Sequence, residues 1–127
     1  MTRQKVPDRG DVAWLDLDPQ AGNEMRKRRP VLVLTKAAYN ASGLRLALVC
    51  PITSSARNYP FQVPIEGVPG VAGVAQADQI KSVDWHARNA ELVGHVEEEI
   101  VLTVVGLQLA LLDPDGAYSS DGGNSPG

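Results

Sequence analysis

Two apolar stretches near the start of the chain decide the fold: GDVAWLDL at Gly10–Leu17 and VLVLT at Val31–Thr35. In the first stretch successive side chains alternate between two faces, with Val12 on one and Ala13 on the other, which is the pattern of a β-strand. The second stretch has no polar alternation, as expected of a strand that is covered on both faces. These two strands predict a sheet as the framework of the protein.

The rest of the chain extends this sheet and ends it with a helix. Short apolar stretches bounded by turn residues predict further strands at Leu44–Thr53, Phe61–Ile65, Gly73–Ala77, Ile80–Trp85 and Glu91–Val96. A helix is predicted from Glu97 to about Asp113, because three consecutive acids suit a helix N-terminus. Its apolar residues have the three- and four-residue spacing of a helix that lies across a sheet: Ile100, Val101, Val104, Leu107, Leu111 and Leu112. The pattern is mainly antiparallel β with a C-terminal α-helix.

Length and composition limit the organisation of the chain. A chain of 127 residues fits one domain, which we place at residues 1–112. Residues 113–127 are rich in Gly, Ser, Asp and Pro, a composition typical of a disordered tail. The longest apolar stretches, such as Leu46–Ile52, are far shorter than the ~20 residues that cross a bilayer, and no signal peptide is recognisable. We therefore expect a cytoplasmic protein without a membrane span.

The sequence offers few groups for metal or cofactor chemistry. Cys50 is the one cysteine, so no intramolecular disulfide can form, and with only His86 and His95 besides, no Cys/His zinc cluster is available. Cys50 lies in an apolar stretch and is expected in the core. Walker loops, GxGxxG and Ser/His/acid arrangements are absent from the sequence as well, so we expect no metal and no cofactor.

The distribution of charge is more informative than its total. A formal net charge of −3 at first argues against a nucleic-acid partner, because phosphate binding usually leaves a basic surface. Residues 1–60, however, hold ten Lys and Arg against five Asp and Glu, a net charge of +5. Residues 61–127 hold two against ten, a net charge of −8. The first half of the chain can therefore hold a polyanion.

The basic residues are concentrated in one loop. The segment Asp18–Arg29 is predicted to be long and exposed, and it ends in the cluster Arg26–Arg29 before Pro30. An arginine held at the start of a covered strand, as Arg29 is, presents a rigid fork of donors that can grip a phosphate and stabilise transition-state charge. The alternative is that the cluster is simply solvated.

A second polar loop, TSSARNYPF, follows a predicted strand at Thr53–Phe61. The Thr53 hydroxyl can bind a phosphate oxygen, or it can bond nearby backbone in a turn, and the residues alone favour the turn. Arg57 can meet a phosphate or stack on a base. Tyr59 and Phe61 are expected to lie mostly in the core.

Four blocks of sequence, in this order, carry a resemblance to a known family. They are VPDRGDVAWLDLDPQAGNE from Val6, RRPVLVLTKAAYN from Arg28, CPITSSARNYPF from Cys50, and GVAQADQIKSVDW from Gly73, which is soon followed by ARNA. Over residues 6–112 the chain resembles the MazF/PemK family of toxin endoribonucleases. The tail lies outside the likeness.

The resemblance implies an SH3-like small β-barrel with a C-terminal α-helix, a homodimer, and metal-independent cleavage of single-stranded RNA at short sequence motifs. Products in that family are a 2′,3′-cyclic phosphate and a 5′-hydroxyl, which makes the ribose 2′-OH the nucleophile. The implied protein partner is a cognate MazE-like antitoxin, usually with an acidic, flexible segment that folds onto the toxin.

The resemblance also implies site residues. The family's catalytic arginine and threonine fall on Arg29 and Thr53, and its acid falls on Glu24, which either takes a proton or orients Arg29. Contacts to RNA are implied for Asn23, Met25, Arg26, Lys27, Arg28, Ser54, Arg57, Gln79 and Lys81. His86 and His95 match no catalytic position of the family.

Two departures from the family pattern lie in the basic loop. Met25 stands where the family usually has glutamine, and Arg26 and Lys27 stand where small residues are common. The glutamine's hydrogen-bonding group is lost, while the added charges strengthen nonspecific attraction to phosphate. We therefore expect a sequence preference that differs from that of better-known relatives.

Two other functions stay open. One is a toxin of the CcdB type, which poisons DNA gyrase by binding it, because the same barrel can carry unrelated functions. The Gly-x-Glu, Arg-Pro and Pro-x-Thr blocks argue against it. The other is an RNA-binding module that has lost cleavage, which the altered basic loop would permit. An assay of RNA cleavage separates these functions from a nuclease.

Overall fold

The computed structural model describes residues 4–17 and 27–118, and within them the chain forms seven strands and two helices. The strands are β1 (Asp11–Asp16), β2 (Arg28–Val33), β3 (Leu46–Thr53), β4 (Gln62–Ile65), β5 (Gly73–Gln76), β6 (Lys81–Asp84) and β7 (Glu91–His95), and the helices are α1 (Ala37–Asn40) and α2 (Glu98–Leu112). The strand pairs are antiparallel. The predicted mainly β fold with a C-terminal helix is confirmed.

Strand β3 is the centre of the sheet, because it pairs with three other strands. β2 covers one edge, whereas the other edge pairs with β6 over Leu46–Val49 and with β5 over Ile52–Thr53. Pro51, which has no N–H to donate, lies between these two paired stretches. The full order β4-β5-β3-β2-β1-β7, with β6 attached to β3, makes a half-barrel.

Both faces of the sheet are covered. Even-numbered residues of the first strands, such as Val12 and Leu32, pack with α2 in one core. Odd-numbered residues, such as Ala13 and Val31, face a second core on the opposite side. The side chains of Val31, Leu32 and Val33 are all buried. This confirms the prediction that the second stretch is a strand covered on both faces.

Cys50 belongs to the core that contains α2. Its side chain is fully buried opposite Leu32 in the β2–β3 ladder. Burial raises the pKa of the Cys50 thiol to about 12, because a thiolate is poorly solvated in apolar surroundings. The thiol is therefore neutral and shielded from solvent, which confirms the expected core position.

Helix α2 confirms only part of its predicted apolar face. Val101 and Val104 are buried against the sheet. Leu111 and Leu112, predicted on the same face, are 46% and 71% exposed, so the prediction is wrong for these two residues. The last buried residue of the helix is Gln108, whose amide donates to a carbonyl of the β5–β6 turn at 3.0 Å. The final turn of the helix therefore runs past the core.

Two further local features differ from the prediction. β2 begins at Arg28 rather than Val31, because Arg28 pairs with Asp16 of β1 and forms an ion pair with it. The end of the predicted basic loop is therefore part of the sheet. The single-turn helix α1 was not predicted, since it is too short to show a period. It is held by the carboxylate of Asp8, which accepts the N–H of Ala37 at 2.8 Å.

The described residues contain no helix with the length and hydropathy needed to cross a bilayer. At the end of α2 the chain turns around Asp113, whose carboxylate accepts the N–H groups of Ala117 and Tyr118 at 2.8 and 2.9 Å. Residues 119–127 lie outside the described part of the chain. Both the single domain at 1–112 and the disordered tail at 113–127 stay predictions.

Candidate active site

The register of β2 against β3 brings Arg29 and Thr53 together. Val31 pairs with Pro51, and continuing this register by two residues places Arg29 opposite Thr53. Side chains alternate along a strand and cross-strand partners share a face, so both side chains project from the odd-numbered face of the sheet. The sheet itself thus aligns the two predicted catalytic residues.

Both residues line a cleft of about 340 Å³ on this face. Gln79 and Lys81, two of the predicted RNA contacts, line it as well, and Lys81 shares the face because it pairs with Val49 of β3. Apolar side chains of the second core form the floor: Leu15, Val31, Val49 and Val83. An apolar floor with a few convergent polar groups is typical of a ligand site.

The cleft is positively charged although the chain is acidic. Residues 61–127 contain only two basic residues, Lys81 and Arg88. Both of them line the cleft together with Arg29. Among the described residues of its lining the one acid is Asp16, which is paired with Arg28. Three cations with one neutralised acid suit an anionic ligand such as a phosphate.

The Thr53 hydroxyl is oriented by the backbone. Its oxygen accepts a hydrogen bond from the N–H of Ser55 at 3.1 Å, so the turn bond that the residues favoured is present. A hydroxyl both donates and accepts, and no described residue takes its proton. The proton is therefore available to a phosphate oxygen, so the turn bond is compatible with the predicted catalytic role of Thr53.

Gly73 allows β5 to approach Thr53 closely. It precedes Val74, which is the ladder partner of Thr53, and its φ is 150°. A Cβ atom at Gly73 would lie 2.2 Å from the carbonyl oxygen of Thr53, well inside van der Waals contact. Only glycine fits at this close approach of two backbones.

We expect Gly73→Ala to lower the free energy of unfolding by about 1–3 kcal/mol, because either β5 or the end of β3 must move to accommodate the methyl group. Urea denaturation measures the change. Gly43→Ala is the matched control, since a Cβ there meets nothing within 4 Å and its φ is not positive. Equal stabilities of the two variants would contradict the close approach.

A junction around the buried side chain of Asp16 connects β1, β2 and the turn that carries Arg88. The carboxylate of Asp16, 1% exposed, forms an ion pair with Arg28 and accepts the side-chain amide of Asn89 at 2.8 Å. The guanidinium of Arg28 also donates to the Asn89 carbonyl at 3.0 Å, and that of Arg88 donates to the Asp16 carbonyl at 3.0 Å. The junction therefore holds the turn 85–89 against the strand that carries Arg29.

The other predicted site residues are distributed around the cleft. Arg28 is turned into the junction, and Lys27 and Ser54 are exposed outside the cleft. Arg57 lines an adjoining groove. The predicted residues that lie outside the described part of the chain are Asn23, Glu24, Met25 and Arg26. The roles assigned to all of these residues stay predictions.

The cleft also contains three residues that the sequence did not predict: Asp16, Gln76 and Arg88. Gln76 lies on β5 two residues after Val74, so it shares the face of Thr53. The guanidinium of Arg88 donates to the carbonyl of Asp16, which is 72 positions away in the sequence. The blocks GVAQADQ and ARNA contain the last two residues, but nothing in their local pattern indicates a shared site.

The two histidines lie away from the cleft, and neither lines it. His95 on β7 lies 2.8 Å from the carboxylate of Asp11 on β1, and the ring of His86 contacts that of Trp85 with centroids 6.0 Å apart. Within residues 4–17 and 27–118 no group of three His, Cys, Asp or Glu side chains could hold a metal ion.

Comparisons with known proteins agree with the blocks found in the sequence. A family model described as the PemK-like, MazF-like toxin of type II toxin–antitoxin systems matches residues 8–109. The chain is 41% identical over 99 residues to the endoribonuclease toxin MazF of Escherichia coli (strain K12), covering 78% of this chain and 87% of that protein. It is 38% identical over 109 residues to the endoribonuclease PemK of Escherichia coli, covering 82% and 80%.

Solved structures show the same likeness. The crystal structure of MazE-MazF (Form-II) from Deinococcus radiodurans contains a chain that matches with a TM-score of 0.77 and 43% identity, over 86% of this chain and 97% of that one. MazF (Form-I) from the same organism matches with a TM-score of 0.74 and 43% identity, over 86% and 98%. The likeness therefore extends over nearly the whole of the solved chains.

Proposed function

Since the chain belongs to the PemK-like, MazF-like toxins of type II toxin–antitoxin systems, we propose that it is an endoribonuclease toxin that cuts single-stranded RNA at short sequence motifs. The observation that carries this proposal is the cleft that Arg29 and Thr53 line together and in which the two basic residues of the acidic half, Lys81 and Arg88, converge. Such a cleft can hold the sugar–phosphate backbone of RNA.

The RNA supplies its own nucleophile in this reaction. The ribose 2′-oxygen attacks the adjacent phosphorus, so that an O2′–P bond forms and the P–O5′ bond breaks. One proton leaves the 2′-OH and one is delivered to the departing O5′, giving a 2′,3′-cyclic phosphate and a 5′-hydroxyl. Because the 2′-OH is already held beside the phosphorus, the protein needs no nucleophilic serine or cysteine.

The cleft residues stabilise the charge that develops on phosphorus. The Arg29 guanidinium binds the nonbridging oxygens through its fork of donors and stabilises the extra negative charge of the five-coordinate state. The Thr53 hydroxyl, oriented by the N–H of Ser55, donates its proton to one of these oxygens. Lys81 and Arg88 neutralise phosphate charge on either side.

Glu24 completes the set of predicted catalytic residues. An arginine keeps its proton at neutral pH, so Arg29 is poorly suited to remove the proton of the 2′-OH. Glu24 therefore either takes that proton itself or orients Arg29. No metal ion or cofactor is required, since the nucleophile comes from the RNA and the charge stabilisation comes from cationic side chains.

The toxin has an antitoxin partner of the MazE type, which is the protein solved with MazF in the relative from Deinococcus radiodurans. An acidic segment of the antitoxin, folding onto the positive cleft, would block access of RNA to Arg29. The family resemblance also implies a homodimer. A gyrase-binding toxin and an RNA-binding module without cleavage are the alternatives.

We expect the purified protein to cleave a long single-stranded RNA in the presence of EDTA. The 5′ ends of the fragments should accept a label from polynucleotide kinase without prior phosphatase treatment, because they carry a hydroxyl. Thr53→Val, purified in parallel, is the matched control, since it removes the hydroxyl at nearly constant volume and exposes contamination by other nucleases. Intact RNA after prolonged incubation would exclude the nuclease and leave the two alternatives.

A further inference from the structure

A second groove continues from the catalytic cleft on the far side of Thr53. It has a volume of about 640 Å³, and Thr53, Gln76 and Gln79 line both spaces. The new part of the groove is formed by the loop between β3 and β4, with Arg57 and Tyr59 among its lining residues. A strand of RNA with its scissile phosphate at Arg29 and Thr53 therefore has a direct path into this groove.

Tyr59 does not take the core position expected from the sequence. Its side chain is 45% exposed, whereas that of Phe61 is half-buried, so the expectation is wrong for Tyr59. The Tyr59 hydroxyl donates to the carboxylate of Asp78 at 2.7 Å, and its ring meets the ring of Phe61 in an edge contact with centroids 5.8 Å apart. The ring is thus held at two points and still open to solvent.

The loop that carries Tyr59 is fixed by the side chain of Gln62. Its amide oxygen accepts the N–H of Arg57 at 2.7 Å, and its amide nitrogen donates to the carbonyl of Ser55 at 3.4 Å. The backbone N–H of Gln62 donates to the carbonyl of Tyr59 at 3.1 Å. An exposed aromatic ring on a preorganised loop can bind a planar ligand at a small cost in side-chain entropy.

We propose that Tyr59 is a base-stacking residue of this toxin, on which an unpaired nucleobase next to the scissile phosphate packs. The inference rests on the proposed function and assigns a binding subsite to the same enzyme. A stacked base needs a free ring face, which a base in a single strand has and a base inside a duplex lacks. The amide side chains of Gln76 and Gln79 lie in the same groove, where they can hydrogen-bond the edge of that base.

The surroundings of Tyr59 favour a nucleobase over a phosphate as the group that contacts its ring. Tyr59 is anchored by an acid, Asp78, which repels phosphate but leaves the face of the ring accessible. Arg57 supplies the positive charge that the backbone of the bound nucleotide requires. The hydrogen bond to Asp78 raises the pKa of the Tyr59 hydroxyl, because it stabilises the protonated form. Asp78 therefore acts as a positioning residue for the ring.

The test is a set of binding measurements on an RNA that contains the mapped cleavage site, with 2′-deoxyribose at the scissile position so that it stays intact. Fluorescence anisotropy gives Kd. Tyr59→Ala is expected to raise Kd by about 10-fold or more, the usual effect of losing one stacked base. Tyr59→Phe keeps the ring and should raise Kd less than about threefold. Tyr39→Ala, which removes another half-exposed tyrosine, on α1, is the matched control.

The decisive measurement combines Tyr59→Ala with RNAs that lack one base at a time on each side of the scissile phosphate. At one position the loss of the base should weaken binding to the wild-type protein about 10-fold and binding to Tyr59→Ala hardly at all, because the two changes remove the same contact. Additive penalties at every position would overturn the proposal, as would a Tyr59→Phe variant as weak as Tyr59→Ala. Cleavage of unmodified RNA by the wild-type protein is measured alongside. If the RNA is cut, a negative binding result contradicts only the stacking subsite; if it stays intact, the proposed nuclease function is wrong.

Discussion

Replacing Arg29 by alanine is expected to lower kcat for RNA cleavage by about 10³-fold or more, with little change in stability. Arg29 lines the cleft together with Thr53, and in the proposed mechanism its guanidinium supplies several donors to the developing phosphorane, where losing one such donor alone costs about 10²–10³ in rate. The side chain is exposed, so the free energy of unfolding should change by no more than about 0.5 kcal/mol. Single-turnover cleavage and urea denaturation measure the two quantities.

Two further variants make this result specific to Arg29. Arg29→Lys keeps the charge but loses the planar fork, so it should recover only a small part of the activity. Arg9→Ala removes the same charge next to a different cavity, which Arg9 shares with His95 and Glu98, and should cleave at the wild-type rate. An Arg29→Ala protein that is folded and within tenfold of the wild-type rate would remove Arg29 from the mechanism.

Replacing the 2′-OH beside the scissile phosphate by hydrogen is expected to abolish cleavage at that phosphate. The substitution deletes the intramolecular nucleophile, whose placement is equivalent to an effective concentration of about 10⁵–10⁸ M. Binding should survive, with Kd raised no more than about fivefold for one lost hydrogen bond. The measurements are gel analysis of end-labelled RNA and anisotropy with the same oligonucleotide.

A matched oligonucleotide carries the deoxyribose two nucleotides away from the cut and should be cleaved as fast as the unmodified RNA. DNA of the same sequence should bind without being cut. If the modified RNA is cut at the same phosphate, a water molecule rather than the 2′-OH is the nucleophile, and the roles given to Arg29 and Thr53 must be revised.

The fold was largely predictable because its strands carry their own pattern. The stretch at Gly10–Leu17 shows the alternation of a strand, and the stretch at Val31–Thr35 shows no polar alternation, from which the burial of Val31, Leu32 and Val33 on both faces follows. The errors lie where tertiary contacts decide. Arg28 is part of β2 because it forms an ion pair with the buried carboxylate of Asp16 on β1. Leu112 is exposed because the last turn of α2 extends beyond the core. Neither the ion pair of Arg28 nor the exposure of Leu112 can be predicted from the neighbouring residues in the sequence.

The site was predictable only in part. Arg29 stood out from the residues alone, since it is a basic residue at the start of a covered strand. Thr53 was predicted as a site residue only through the family resemblance, because a turn bond to the N–H of Ser55 explains its hydroxyl equally well. Arg88 needed the structure, since its place in the cleft depends on bonds to the end of β1. The sequence predicts Tyr59 in the core, and the hydrogen bond to Asp78 that accompanies its exposed position is visible only in the structure.

The alignment of Arg29 with Thr53 makes activity a measure of correct strand pairing. A shift of β2 by one residue against β3 would turn every side chain of the strand to the other face, and Arg29 would then point away from the cleft. Val31, Leu32 and Val33 resist such a shift because they fit buried positions on both sides. The residues that hold the sheet in register thus also keep Arg29 in the cleft, and we expect a mispaired chain to lack nuclease activity.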